Sequence, residues 1–228
     1  MTTTNLRIKL IDETPTPFID EPMPLDLSLK WASKYENQVD PRVEVFFAQS
    51  AYSKCIEHTE SDLENEVGGV LIGEVRVDPM CPRPYIIIQD ALPALYTDSG
   101  QTHVTFTQNT LVHLNKELEE HYPGKRIVGW YHTHPRLGVF LSSHDTWLHR
   151  NFFADPTHVA LVVDPYYEQA GFFCWQTGNK FDPIRYVGFF ELSDVDEESV
   201  VELENLTPVI EETPTPCGAA ALEEGAAK

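Results

Sequence analysis

The junction at Pro135 constrains the fold more than any other feature of the chain. Residues 126–132 read Arg-Ile-Val-Gly-Trp-Tyr-His, apolar, β-branched and aromatic, the composition of a strand. Proline has no N–H to give a central ladder, so the strand ends beside Pro135. Side chains alternate along a strand, which puts His132 and His134 on one face at its end, where sites are usually built. Beyond a short loop the period changes. Leu148 and Phe152 are spaced to pack inward from a helix that opens near Ser142. Ser142 and Asp145 are three residues apart and share one face of its first turn.

Two imidazoles from a strand end and one carboxylate from the following helix make three good zinc ligands: His132, His134 and Asp145. Three protein ligands leave a fourth position for water, the arrangement of a catalytic rather than a structural zinc. Each half also has a plainer reading. Ser142-x-x-Asp145 fits a helix capping box, and alone that reading is the commoner one. A His-x-His on a strand is, alone, more often ordinary structure. The combination is far more specific, because both halves and a proline fall within residues 132–145 across a strand–loop–helix boundary.

A general base is still needed, and residues 65–75 (Asn-Glu-Val-Gly-Gly-Val-Leu-Ile-Gly-Glu-Val) supply a candidate. They read as a strand with Glu66 at its start. Gly68, Gly69 and Gly73 point to close backbone approach or a bulge. The run from Glu66 to Gly73, then Gly-Trp-Tyr-His132-Thr-His134-Pro, then Ser142-x-x-Asp145, resembles the JAMM motif of the JAB1/MPN/Mov34 metalloprotease family. The resemblance covers Val43 to about Phe190, with no departure at the core positions. It implies that His132, His134 and Asp145 bind one Zn2+. Glu66 would be the general acid/base, and Ser142 would stabilise the tetrahedral intermediate. It also implies an α/β fold, the MPN (cytidine-deaminase-like) mixed sheet sandwiched by helices. The implied activity is cleavage after the C-terminal glycine of ubiquitin, a ubiquitin-like protein or a sulfur carrier, often gated by a regulatory partner. The alternative is a non-catalytic MPN scaffold in a multiprotein complex. Scaffold members typically lack the metal ligands, which this chain has.

Other chemistries lack their residues. There is no His-Glu-x-x-His, no Pro-Cys-x-x-Cys, no Walker loop, no dinucleotide glycine fingerprint and no Gly-x-Ser-x-Gly. A net charge of −20 argues against nucleic acid and anionic membranes. No apolar run is long enough to span a bilayer, and the first residues do not read as a signal peptide. Cys55, Cys81, Cys174 and Cys217 form no Cys-x-x-Cys pair. Their scatter suits a reducing cytosol, with Cys55 and Cys174 buried as small apolar residues.

The remaining pattern is one domain with flexible tails. Residues 1–40 are expected to be an N-terminal extension, with a short strand at Leu6, Ile8 and Leu10 and a proline-rich linker. Residues 41–193 form the domain. Strands are expected at 42–48, 85–89, 104–107, 159–165, 170–175 and 186–192. Helices are expected at 49–60 and 109–121, the second with Leu111, Leu114 and Leu118 inward. Residues 194–228 are acidic, then rich in Pro, Ala and Gly, and are expected to be disordered. Residues 200–210 hold enough Val, Leu and Ile to dock on a partner. Around the site, Trp130 is expected to pack beneath it and Tyr131 to face the opposite core. His144 and His149 are expected at the surface or behind the ligands. Residues 136–141 would form the rim, with Leu137, Val139, Phe140 and Leu141 contacting substrate or sealing the loop.

Overall fold

Why the two halves of the motif meet follows from one βαβ unit. The computed structural model describes residues 18–94, 108–196 and 198–210. Arg126–Thr133 (strand β6) and Val159–Asp164 (β7) pair in parallel, Gly129 against Val159 through Thr133 against Val163. A parallel pair needs a crossover, and Ser143–Phe152 (helix α3) provides it. The loop leaving the end of β6 therefore delivers the chain directly to the first turn of α3.

The other elements, in chain order, are Ile19–Asp20 (β1), Ser28–Ser33 (β2), Glu44–Ala48 (β3), Gln49–Thr59 (α1), Gly68–Val77 (β4), Pro84–Pro93 (β5), Gln108–His121 (α2), Gln169–Cys174 (β8), Phe189–Leu192 (β9) and Leu206–Val209 (β10). The sheet runs β10-β2-β9-β3-β5-β4-β6-β7-β8, with β1 paired to the far end of β4. It is mixed: β3 runs parallel to β5 and β9, whereas β4 is antiparallel to both β5 and β6. β7 is buried along its whole length, as a strand covered on both faces must be. α1 buries Ala51, Tyr52, Cys55 and Thr59, one helical stripe. Leu114 of α2 is buried and Leu118 packs against the core; the Leu111 side chain lies outside the described residues, as do the expected strands near Leu6 and at 104–107. Cys55 and Cys174 are free and buried.

The glycines of β4 act as expected. A Cβ on Gly69 would lie 2.2 Å from the Leu92 carbonyl oxygen and 2.7 Å from the Tyr131 ring. The ladder shifts register at Ile72/Gly73 against β5 and at Leu71/Ile72 against β6, so a bulge is present as well.

Both expected extensions contribute to the sheet where they are described. β2 lies between β9 and β10, and β10 itself comes from the expected tail. Glu191, buried on β9, accepts hydrogen bonds from Trp31 Nε1, Gln49 Nε2, Ser199 Oγ and the Val200 N–H. Val201, Leu203 and Leu206 are buried beside it. The tail also caps α1: Ala48 has no side chain to do so, and the Ser50 N–H donates to Asp194 Oδ1 at 3.0 Å. The apolar residues of 200–210 thus dock on the chain itself, with Pro208 tolerated on an outer strand.

Candidate metal centre

His132 and His134 leave the end of β6 on one face, with Thr133 turned the other way. The Thr133 Oγ1 accepts from the Val67 N–H at 2.9 Å, and the Thr133 N–H donates back to the Val67 oxygen at 2.9 Å. Gly68 stands opposite His132 in this ladder. The contacts between the two chain segments continue one residue further, to Val67 beside Thr133. Glu66 lies two residues ahead of β4 rather than within it, and is half-buried. The His134 N–H reaches the Val163 oxygen at 2.8 Å, so the ladder holds its backbone past the strand end.

Ser142 is the N-cap of α3, and both bonds of the capping box are made. The Asp145 N–H donates to Ser142 Oγ at 3.2 Å, and the Ser142 N–H donates to Asp145 Oδ2 at 2.7 Å. The plainer reading of Ser142-x-x-Asp145 is therefore right, and it coexists with the metal reading. The same Asp145 Oδ2 lies 3.5 Å from His132 Nε2 and 3.5 Å from His134 Nε2, and the two Nε2 atoms are 3.1 Å apart. Zinc–ligand bonds of about 2.0–2.1 Å at tetrahedral angles space ligand atoms about 3.3–3.4 Å apart. The triangle has that size, all three residues are buried, and these three could hold a metal ion. Ser142, bonded to Asp145, stands beside them.

The electrostatics favour ligand forms. Burial lowers the pKa of His132, outweighing Asp145, so the imidazole stays neutral with a lone pair to give. Burial alone would raise the Asp145 carboxyl. Hydrogen bonding with His132 and His134 overcomes this and holds it well below the usual carboxylate range.

Two further side chains organise the site: Asp164, which sequence reading passed over, and His149, which it left either at the surface or behind His132 and Asp145. Asp164, fully buried at the end of β7, accepts from the N–H groups of Arg136 (3.1 Å) and Gly138 (2.8 Å), and also from Tyr166 and Tyr167. It fixes the rim loop, in which Arg136 has φ 64° and Gly138 φ 82°. The signal was an Asp-Pro after an apolar strand, a turn-forming pair. His149 is buried and accepts from Trp130 Nε1, placing it behind the ligands rather than at the surface. Trp130 packs beneath the site, and Tyr131 faces the other core with its hydroxyl 2.9 Å from His58 Nδ1. On the rim, Leu141 is buried, Phe140 lies over His134 at 4.7 Å, and Leu137 is exposed.

Fold and site together define an α/β domain with a His-His-Asp cluster of metal-binding size at a strand end. Residues 43–155 match the family described as JAB1/Mov34/MPN/PAD-1 ubiquitin protease, and the chain belongs to that family through this domain. The mixed sheet, with three α-helices among the described residues, is consistent with the MPN fold. The chain is 32% identical over 164 residues to COP9 signalosome complex subunit 5 of Eremothecium gossypii, covering 65% of this chain and 37% of that one. It is 26% identical over 142 residues to 26S proteasome regulatory subunit RPN11 of Candida glabrata, covering 62% and 45%. It is 28% identical over 131 residues to 26S proteasome non-ATPase regulatory subunit 14 of Caenorhabditis elegans, covering 57% and 40%. The chain thus spans less than half the length of these relatives. Among the described residues, no helix is long and apolar enough to cross a membrane.

Proposed function

We propose that the chain is a zinc-dependent peptidase or isopeptidase acting on the bond after the C-terminal glycine of ubiquitin, a ubiquitin-like protein or a sulfur carrier. The observation that carries this reading is the buried triangle of His132 Nε2, His134 Nε2 and Asp145 Oδ2, with edges of 3.1, 3.5 and 3.5 Å. The substrate class is supported by the family's description as a ubiquitin protease. A regulatory protein partner belongs to the same reading, since the matched relatives are named as subunits of larger complexes.

His132, His134 and Asp145 would hold one zinc, which when bound supplies a Lewis acid for the scissile carbonyl and lowers the pKa of water to about 7. The chain's own groups do the rest. Glu66, two residues ahead of β4, takes the proton of the attacking water and passes it to the leaving amine. Ser142 Oγ accepts the Asp145 N–H as a cap, which leaves its own proton to donate to the developing oxyanion. Asp164 holds the rim loop over which an extended glycine tail would lie.

A panel of ubiquitin-like fusions, presented to the zinc-loaded wild type and to Glu66→Gln, tests the proposal. The wild type is expected to cleave at least one fusion after its terminal glycine. The variant should keep its zinc and lose about 100- to 10,000-fold in turnover, the span of general acid–base catalysis. Equal cleavage by Glu66→Gln would remove the role given to Glu66. A zinc-loaded wild type that cleaves nothing would put the scaffold reading in front.

A further inference from the structure

Behind the ligands, one polar contact ties the strand that carries the histidines to the helix that carries Asp145. The His132 imidazole lies flat on the indole of Trp130, centroids 4.6 Å apart and planes 9° from parallel. The indole Nε1–H donates to His149 Nδ1 at 3.1 Å. Indole is a donor only, so Nδ1 accepts and the neutral ring carries its proton on Nε2. His149 stands four residues after Asp145 on α3, hence on the same helix face one turn further on. Its ring is held by Phe181, stacked at 4.6 Å.

Two further observations give this contact its meaning. A ligating histidine is ordinarily oriented by donating its second ring N–H to an acceptor. Nδ1 of His132 is buried and has no such partner among the described residues. The flat stack on Trp130 is then what sets the plane of the ring. His149 is also a poor choice for packing alone. Its Nε2 is buried with no partner among the described residues, a cost of about 1–3 kcal/mol that leucine or phenylalanine would avoid. What His149 supplies is the acceptor for Trp130.

We infer that Trp130 and His149 are positioning residues: their hydrogen bond clamps β6 to α3 and so fixes the His132 ring plane and its separation from Asp145. The inference rests on the metal-site reading of the triangle. The clamp explains how ligands from two elements hold a fixed spacing. The ring of one and the backbone of the other are joined through a single buried bond.

The test is zinc affinity by competition with a chromogenic chelator, with the absorption spectrum of the cobalt-loaded protein and the melting point of the metal-free protein. His149→Leu is expected to weaken zinc about 10- to 100-fold, the usual effect of losing support behind a ligand, and to alter the cobalt bands. His149→Gln returns an acceptor and should recover most of the affinity, whatever its melting point. Trp130→Phe keeps an aromatic ring under His132 but removes the N–H along with part of the indole, so it should weaken zinc in the same direction. Unchanged affinity and spectrum in His149→Leu, or equal losses in His149→Leu and His149→Gln, would overturn the clamp. If His149→Leu fails to fold, Trp130→Phe decides alone, and wild-type affinity and cobalt bands in that variant would overturn it. A wild type that takes up no zinc would overturn the metal-site reading and this inference together, and the wild-type arm tells that failure apart.

Discussion

Ser142 and Asp145 each hold two positions at once. Ser142 caps α3 through an oxygen lone pair, which leaves its hydroxyl proton available to another acceptor; Asp145 receives the cap's backbone N–H on the same oxygen that faces both imidazoles. Removing the hydroxyl should therefore cost twice. Ser142→Ala is expected to lower turnover about 100- to 1,000-fold through the lost oxyanion donor and stability by about 1 kcal/mol through the lost cap. Steady-state kinetics and urea melts on the same preparation check both; a loss of stability alone would leave Ser142 as a cap and nothing more. The ligand triangle and its cap were legible in the sequence because every spacing involved is local: alternation on a strand, one turn of a helix. Asp164 was not, and His149 only as one of two placements, at the surface or behind the site. Their partners lie 28, 26 and 19 residues away, and only the docking of α3 and β7 on β6 brings them together.

The docking of α3 also sets a pH limit on the element. Burial, with His158 and Arg150 adding to it, pushes the His149 pKa down to about 3. An unfolded chain takes that proton near pH 6.5. Between those values the unfolded state binds more protons than the native state, so stability falls as pH falls, by up to about 1.4 kcal/mol per pH unit for one group. Metal-free wild type should lose stability from pH 7 to pH 5, and His149→Gln should lose less over the same interval. Part of the slope should remain in the variant, because His132 and His158 are lowered by burial as well. A variant with the wild-type slope would show that His149 does not carry the effect. Elements with a strong period, such as β7, α1 and α3, could be read directly from the sequence. β2 could not: only Leu29 and Trp31 mark it, separated by Lys30 and flanked by serines. β10 was hidden by the acidic residues on either side, which lower the average hydrophobicity of a segment whose Val201, Leu203 and Leu206 are buried.

For the whole molecule, the described segments nearest the two ends form one structural unit. β2 pairs with β10, and Glu191 gathers Trp31 from the first end, Gln49 from α1, and Ser199 and Val200 from the second. Glu191→Leu strips four donors of their acceptor and should destabilise the protein by about 3 kcal/mol or more. It should also open residues 198–210 to protease. Wild-type stability and protection in that variant would mean that the strap is held by its apolar residues instead. Much of the net charge of −20 lies in such end segments, so it says little about the surface around the ligands. Everything assigned to the site depends on the triangle holding a metal, and the most direct test is zinc content per chain after purification without added metal, wild type against His132→Ala. The account predicts about one zinc per wild-type chain, lost in the variant while its fold survives. A folded wild type that carries no zinc, even after zinc is supplied, would contradict it.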